Sequence, residues 1–256
     1  MNTIEYGQGA VNNTIGWGQG AKVGSSFSNT KSIDLDGIDD FCETASTYSE
    51  LDGQTKATFS LWVKPSSFSI NPILSFLTNS TNQGSFVYRI IVNTNGQVNF
   101  QIGNFFVGAN TGTNVLTANV WSHLLFAYDG SLSSGSRVKI FINGVDRTSS
   151  DNNTSTSLGN ATYPLQVGRK NIGSGLNYNG NLDEFAIWSG TDLRASVSEI
   201  YASGSVVDLN ALATAPNPTT WYRMGDGDTA PTIKDTNGSA NLTMNNFSTF
   251  STDVPT

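Results

Sequence analysis

Residues 120–130 read Val-Trp-Ser-His-Leu-Leu-Phe-Ala-Tyr-Asp-Gly, and after a polar loop residues 137–145 read Arg-Val-Lys-Ile-Phe-Ile-Asn-Gly-Val. The alternation has period two, which predicts two strands. Trp121, His123, Leu125 and Ala127 share one face of the first, and Ser122, Leu124, Phe126 and Tyr128 share the other. In the second, Val138, Ile140 and Ile142 alternate with Lys139, Phe141 and Asn143. Asp129-Gly130 and Asn143-Gly144 end the strands with residues that tolerate positive φ, as antiparallel turns require. Both faces carry bulky apolar groups, so neither is simply solvated. The hairpin is predicted at the middle of a two-layer β structure, with a sheet or a ligand-bearing surface on each side.

Working outward, the composition agrees. Charged residues make up 13% of the 256-residue chain, against about a quarter in an average protein, and 26 residues are Gly. A turn-rich β sandwich solvated by hydroxyls and amides fits this; a helical protein would want Glu, Lys, Ala and Leu on its faces. An aromatic content of 11% is too high for a disordered chain. The formal charge is −7, from 13 basic and 20 acidic residues, with no basic cluster. Such a chain has no means of releasing counterions from phosphate, which argues against nucleic acid and anionic membrane partners. Cys42, the single cysteine, excludes an internal disulfide and reads as a buried packing thiol. No apolar run approaches the roughly 20 residues of a spanning helix, and the first residues lack a secretory pattern.

Residues 1–31 stand apart. Tyr6-Gly-Gln-Gly-Ala recurs as Trp17-Gly-Gln-Gly-Ala, and so much Gly cannot build its own core. Tyr6, Ile15 and Trp17 on this arm read as anchors for docking on another subunit; the alternative is a tail without fixed structure. The folded domain begins near Ser32. Asp36, Asp39 and Asp40, in Leu-Asp-Gly-Ile-Asp-Asp-Phe, have two readings: carboxylates capping turn amides, or oxygens offered to calcium. A short helical turn is predicted in 46–52, a strand over Ala57–Pro65, and strands at 73–77, 86–93, 97–102, 164–169 and 182–188. Val197, Ile200 and Tyr201 at i, i+3, i+4 predict one helix, closed by Gly204.

The order Trp-x-His, Tyr-Asp-Gly, Val-Lys-Ile-Phe-Ile-Asn-Gly resembles the centre of the laminin-G-like, concanavalin A-type jelly roll. Three further landmarks keep the family's order: Leu35–Phe41, Phe59–Pro65, and Asn179–Trp188 with the Glu199-Ile-Tyr helix after it. Together they cover about residues 32–245. The resemblance implies an all-β sandwich of two antiparallel sheets with one short helix, an extended N-terminal arm over 1–31 and a C-terminal tail over 246–256. In the family, an aromatic strand with a following Asp-x-x-Gly-Asn turn usually opens the domain. Here the similar segments, Trp221–Asp228 and Asp235–Gly238, come last, which suggests a circular permutation.

The arm and this order also resemble jelly-roll proteins of tailed-bacteriophage virions. That implies a non-enzymatic fibre, spike or capsid-surface subunit, homo-oligomeric, joined to other virion proteins through its arm and made in the host cytoplasm. The alternative is a carbohydrate- or matrix-binding module of a bacterial surface or secreted protein, aided by calcium. For a glycan ligand the loop residues Tyr178, Asn177, Asn179 and Asn104 are the candidates.

Catalysis is not expected. Hydrolases of this fold place carboxylates at period two on one strand, and no Glu-x-Asp-x-Glu run occurs. Asp183 and Glu184 are adjacent, so regular pleating points them to opposite faces. His123, the single histidine, lies among apolar neighbours and reads as structural; Trp62, Trp121 and Trp188 read as core. One Cys and one His cannot form a Cys/His metal cluster.

Overall fold

The computed structural model describes residues 27–68, 71–77, 86–102, 108–169 and 176–256. In chain order the strands are β1 (Ile33–Asp36), β2 (Phe41–Thr47), β3 (Lys56–Pro65), β4 (Asn71–Leu77), β5 (Phe86–Val92), β6 (Val98–Ile102), β7 (Gly108–Thr111), β8 (Ser122–Asp129), β9 (Val138–Ile142), β10 (Val145–Asp146), β11 (Thr148–Asp151), β12 (Pro164–Val167) and β13 (Asn179–Ser189). The helix α1 (Val197–Tyr201) follows, then β14 (Thr220–Tyr222), β15 (Thr232–Ile233) and β16 (Leu242–Asn245).

Among the described residues these strands form two antiparallel sheets. One has seven strands, in the order β1-β13-β3-β8-β9-β10, with β14 added on β13; the other has nine, in the order β11-β7-β6-β5-β4-β12-β2-β16-β15. β8 is buried along its whole length, with Leu124, Phe126 and Tyr128 turned inward and Leu125 and Ala127 outward. The inward rows meet Phe59, Leu61 and Val63 of β3 and the inner residues of β5 and β6. At the centre Phe59 packs on Tyr88 and Phe100, with ring centroids 5.3 and 5.5 Å apart, and Phe100 packs on Phe126 at 5.5 Å. Tilted aromatic pairs at this spacing gain about 0.5–1.5 kcal/mol beyond burial alone. Cys42 is fully buried in the same core.

The outward face of the seven-stranded sheet carries a second layer. Leu125, Ala127, Ala186, Trp188 and Trp221 meet Leu193, Val197 and Ile200 of the α1 region and Leu209 of the segment after it. α1 ends earlier than the pattern predicts: Ala202 takes the left-handed turn (φ 47°), and a 3-10 turn carries the chain to Gly204. The helical turn expected in 46–52 is absent, because β2 runs to Thr47 and a simple turn follows.

The C-terminal strands enter both sheets, β14 beside β13 and β16 beside β2. Residues 246–256 also return to the sandwich. Ser251 pairs with Ser32, and Asp253 accepts a hydrogen bond from the Trp121 indole at 2.9 Å and contacts Lys64. Trp121 is therefore half-buried beneath this segment, whereas Trp62 and Trp188 are buried.

Candidate functional site

Among the described residues, chemistry-bearing side chains gather at three places. The first is one end of the sandwich. Gly37 (φ 76°) turns the chain there, and an added Cβ would lie 2.7 Å from the Asn179 side chain. Asp36 Oδ1 accepts the amides of Ile38 (2.7 Å) and Asp39 (3.3 Å), while Asp40 Oδ2 accepts the Asp36 amide at 3.2 Å. The Ile38 amide leads the donors that hold the Asp36 carboxyl below its ordinary range; burial raises that of Asp40. The carboxylates of Asp36, Asp39 and Asp40 offer oxygens within 4.8 Å of one another. That donor set suits a hard cation in kind, but calcium takes about 6–8 oxygens, and two of these carboxylates already cap the turn.

Asn177 donates to Ile38 O, and Asn246 donates to Asp39 O at 2.8 Å, so the loop is tied from two sides. Asn177 and Asn179 thus join the acidic loop at one end. Tyr178 does not: it is 0% exposed, and its hydroxyl donates to Asn181 O at 3.4 Å, so it presents no surface to a ligand. Asn104, Tyr6, Ile15 and Trp17 lie outside the described residues.

The second place is on β13. The register of β13 on β3 slips between Asp183 and Ala186, so Glu184 and Phe185 together oppose Leu61. Glu184 takes φ 49°. Such a bulge breaks the alternation of faces. The expectation that Asp183 and Glu184 diverge is therefore wrong. Asp183 pairs in register with Trp62, and Glu184 lines a small cavity with Ser60, Trp62 and His123 beneath α1. Both carboxyls are buried, and burial raises both pKa values, that of Glu184 to about 7.

Glu184 accepts the Trp221 indole at 2.7 Å and Arg223 Nε at 3.2 Å, while Asp183 accepts Asn29 Nδ2 at 2.9 Å. Arg223 also donates to Ser28 O, and Asp226 accepts from Thr30, so residues 28–30 are held against the segment that follows β14. His123 Nε2 lies 2.8 Å from Ser60 Oγ, and burial depresses the imidazole pKa to about 3. His123 and Glu184 are both buried around this small cavity beneath α1.

The third place escaped the sequence reading. On the nine-stranded sheet, Thr243, Glu43, Gln166, Ser75, Arg89, Gln101 and Gly108 are successive register partners across β16, β2, β12, β4, β5, β6 and β7. Their neighbours Cys42, Leu165, Val167, Tyr88, Ile90, Phe100 and Ile102 face the core, so Glu43, Gln166, Arg89 and Gln101 face outward. The row stops at Gly108 (φ 151°), where a Cβ would lie 2.1 Å from Phe100 O.

Arg89 Nε donates to Gln101 Oε1, and Gln166 Nε2 donates to Glu43 Oε2 at 3.1 Å. Arg169 lays its guanidinium over Phe41, 3.5 Å from the ring centroid, with a nitrogen 3.7 Å from Glu43 Oε2. Burial lowers the pKa of Arg89 to about 10 and lowers that of Arg169, which remain cations at neutral pH. Gln166 Oε1 and Arg169 Nε are buried with no hydrogen-bond partner among the described residues. A buried polar atom left unmatched costs about 1–3 kcal/mol. Amides, a carboxylate and guanidiniums on one face are the donors and acceptors that vicinal hydroxyls pair with.

Comparison with known proteins accords with this architecture. Among solved structures the fold is similar to a heptameric SAP-like pentraxin from Limulus polyphemus, with 15% identity, 88% of this chain and 95% of that one covered, and a TM-score of 0.58. It is also similar to a putative carbohydrate binding protein from Bacteroides ovatus, at 16% identity over 90% of this chain and 62% of that one, with a TM-score of 0.61. The extracellular region of zebrafish Gpr126 matches at 14% identity over 88% of this chain and 26% of that one, with a TM-score of 0.57. None of the curated proteins matches. No helix among the described residues is long and apolar enough to cross a membrane. The family model described as concanavalin A-like lectin/glucanases superfamily, of laminin-G type, matches residues 36–198, more than half of the chain, and this protein belongs to that family.

Proposed function

We propose that this chain is a non-catalytic carbohydrate-binding module whose ligand lies across the outward face of the nine-stranded sheet. The observation that carries the reading is the in-register polar row, Glu43–Gln166–Arg89–Gln101, flanked by Arg169 on Phe41. Saccharides are held by a few convergent polar groups, and this row supplies them. The similarity to a putative carbohydrate binding protein supports the same reading. The acid pair argues against a hydrolase: Asp183 and Glu184 are both buried, and each already accepts hydrogen bonds from protein side chains.

Asn177 and Asn179 with the Asp36–Asp40 loop form the competing site, with calcium as its aid. A glycan array probed with the full chain, followed by calorimetry on Glu43→Ala and Gln101→Ala, tests the assignment. Loss of affinity in both variants is expected; full affinity in both would move the ligand to the loop end.

The virion-subunit reading, with homo-oligomers joined through residues 1–31, rests on the repeated aromatic-Gly-Gln-Gly-Ala motif that carries Tyr6 and Trp17. Light scattering on the full chain and on a form lacking residues 2–26 tests it. An oligomer that survives the deletion would rule out assembly through the arm.

A further inference from the structure

Resting on that reading, we infer that the sheet face selects saccharides bearing a carboxylate over neutral ones of the same shape. The chain as a whole is acidic, with a formal charge of −7. The outward row inverts that balance locally, setting two guanidiniums, Arg89 and Arg169, against one carboxylate, Glu43. Arg169 is the better placed to receive an acid. Its guanidinium is held flat by Phe41 at 3.5 Å, so its fork is fixed before a ligand arrives. Its contact with Glu43 is long, at 3.7 Å, and Glu43 already accepts Gln166 Nε2 at 3.1 Å.

A sugar carboxylate laid beside Arg169 would make the two parallel charge-assisted bonds that a guanidinium forms with a planar acid. Further sugar units would extend along the row across β4 and β5 toward Gln101 on β6. A neutral sugar could satisfy the amides but not the fixed fork. Glu43 acts as the discriminator's brake: it competes for Arg169 and repels the incoming acid.

The experiment titrates the full chain by calorimetry with hexuronate and sialylated oligosaccharides, each beside its methyl ester, which keeps the shape and removes the charge. The acids are expected to bind about tenfold tighter than their esters. Arg169→Lys should shrink that ratio toward unity by losing the fork while keeping the charge, and Glu43→Gln should widen it. A melting curve for each variant establishes that it is folded. Equal affinity of acid and ester, or a ratio untouched by both substitutions, would overturn the inference while leaving a neutral-glycan module intact. Binding of neither form, on an array that includes neutral glycans and finds none, would overturn the reading beneath it.

Discussion

The two sheets turn opposite kinds of face outward. On the seven-stranded sheet, β3, β8 and β13 carry apolar side chains on both faces, and α1 with the segment after it seals the outer one over Leu125, Ala127 and Trp188. On the nine-stranded sheet, apolar and polar residues alternate cleanly along β6 and β12, and the polar half carries Arg89, Gln101, Gln166 and Glu43. An antiparallel sheet with one solvated face is ordinary. This one differs in that its Arg89 and Gln166 are buried, with Gln166 Oε1 and Arg169 Nε unmatched among the described residues. The difference separates a face sealed by apolar side chains from one that carries the polar row on which the proposed ligand site rests.

The sharpest way to break that contrast is to cut both faces and compare. Trp188→Ala removes a fully buried indole whose N–H reaches Pro216 O at 2.7 Å, and should cost about 3–5 kcal/mol in denaturant unfolding. Leu125→Ala, under the same cover, should cost about 2–5 kcal/mol. Gln101→Ala on the outward polar face removes the acceptor of the buried Arg89 Nε and should cost about 1–3 kcal/mol, less than either of these, while lowering glycan affinity. If the Gln101 variant unfolds as readily as the Leu125 variant, the division of labour between the faces is wrong.

The acid pair under the sealed face gives a pH test. Glu184 holds a proton in the folded state that the unfolded chain releases above the ordinary Glu value of 4.5. Its contribution to stability is therefore fully present below 4.5 and is lost as pH rises toward about 7. His123 works the other way: burial keeps it neutral down to about 3, so its contribution is lost as pH falls below 6.5. The two partly cancel in wild type. The stability of Glu184→Gln relative to wild type should rise with pH between about 4.5 and 7. A difference curve that is flat across that window would mean that the pair does not hold its proton.

The smallest effect belongs to the loop end. If Asp36 serves to cap its turn, chelation of divalent ions leaves the melting temperature unchanged, and Asp36→Ala costs about 0.5–1.5 kcal/mol, the worth of its amide bonds. A melting temperature that falls on chelation, with the fall absent in Asp36→Asn, would establish calcium there instead.

How much of this was legible depended on range. The hairpin of β8 and β9, the strand at Lys56–Pro65 and the long strand ending at Trp188 follow from period-two patterns within single stretches, and they emerge as expected. The Asp36 turn was likewise local. Two features were not. The bulge that brings Asp183 and Glu184 together comes from a register slip against β3, which no pattern within β13 announces. The polar row is assembled from strands more than one hundred residues apart in sequence, such as Glu43 beside Gln166, and each member alone looks like an ordinary surface residue. Tyr178 failed for the reverse reason: a Gly/Asn-rich neighbourhood suggested a surface loop, while the chain just before β13 turns that one side chain into the core.

The measurement that tests the central claim most directly is a two-dimensional NMR titration of the assigned protein with a saccharide that the array identifies. The account predicts that the shifted amides and side chains cluster at Glu43, Arg89, Gln101, Gln166 and Arg169. Shifts confined to Asp36–Asp40, Asn177 and Asn179 would contradict it and place the ligand at the end of the sandwich.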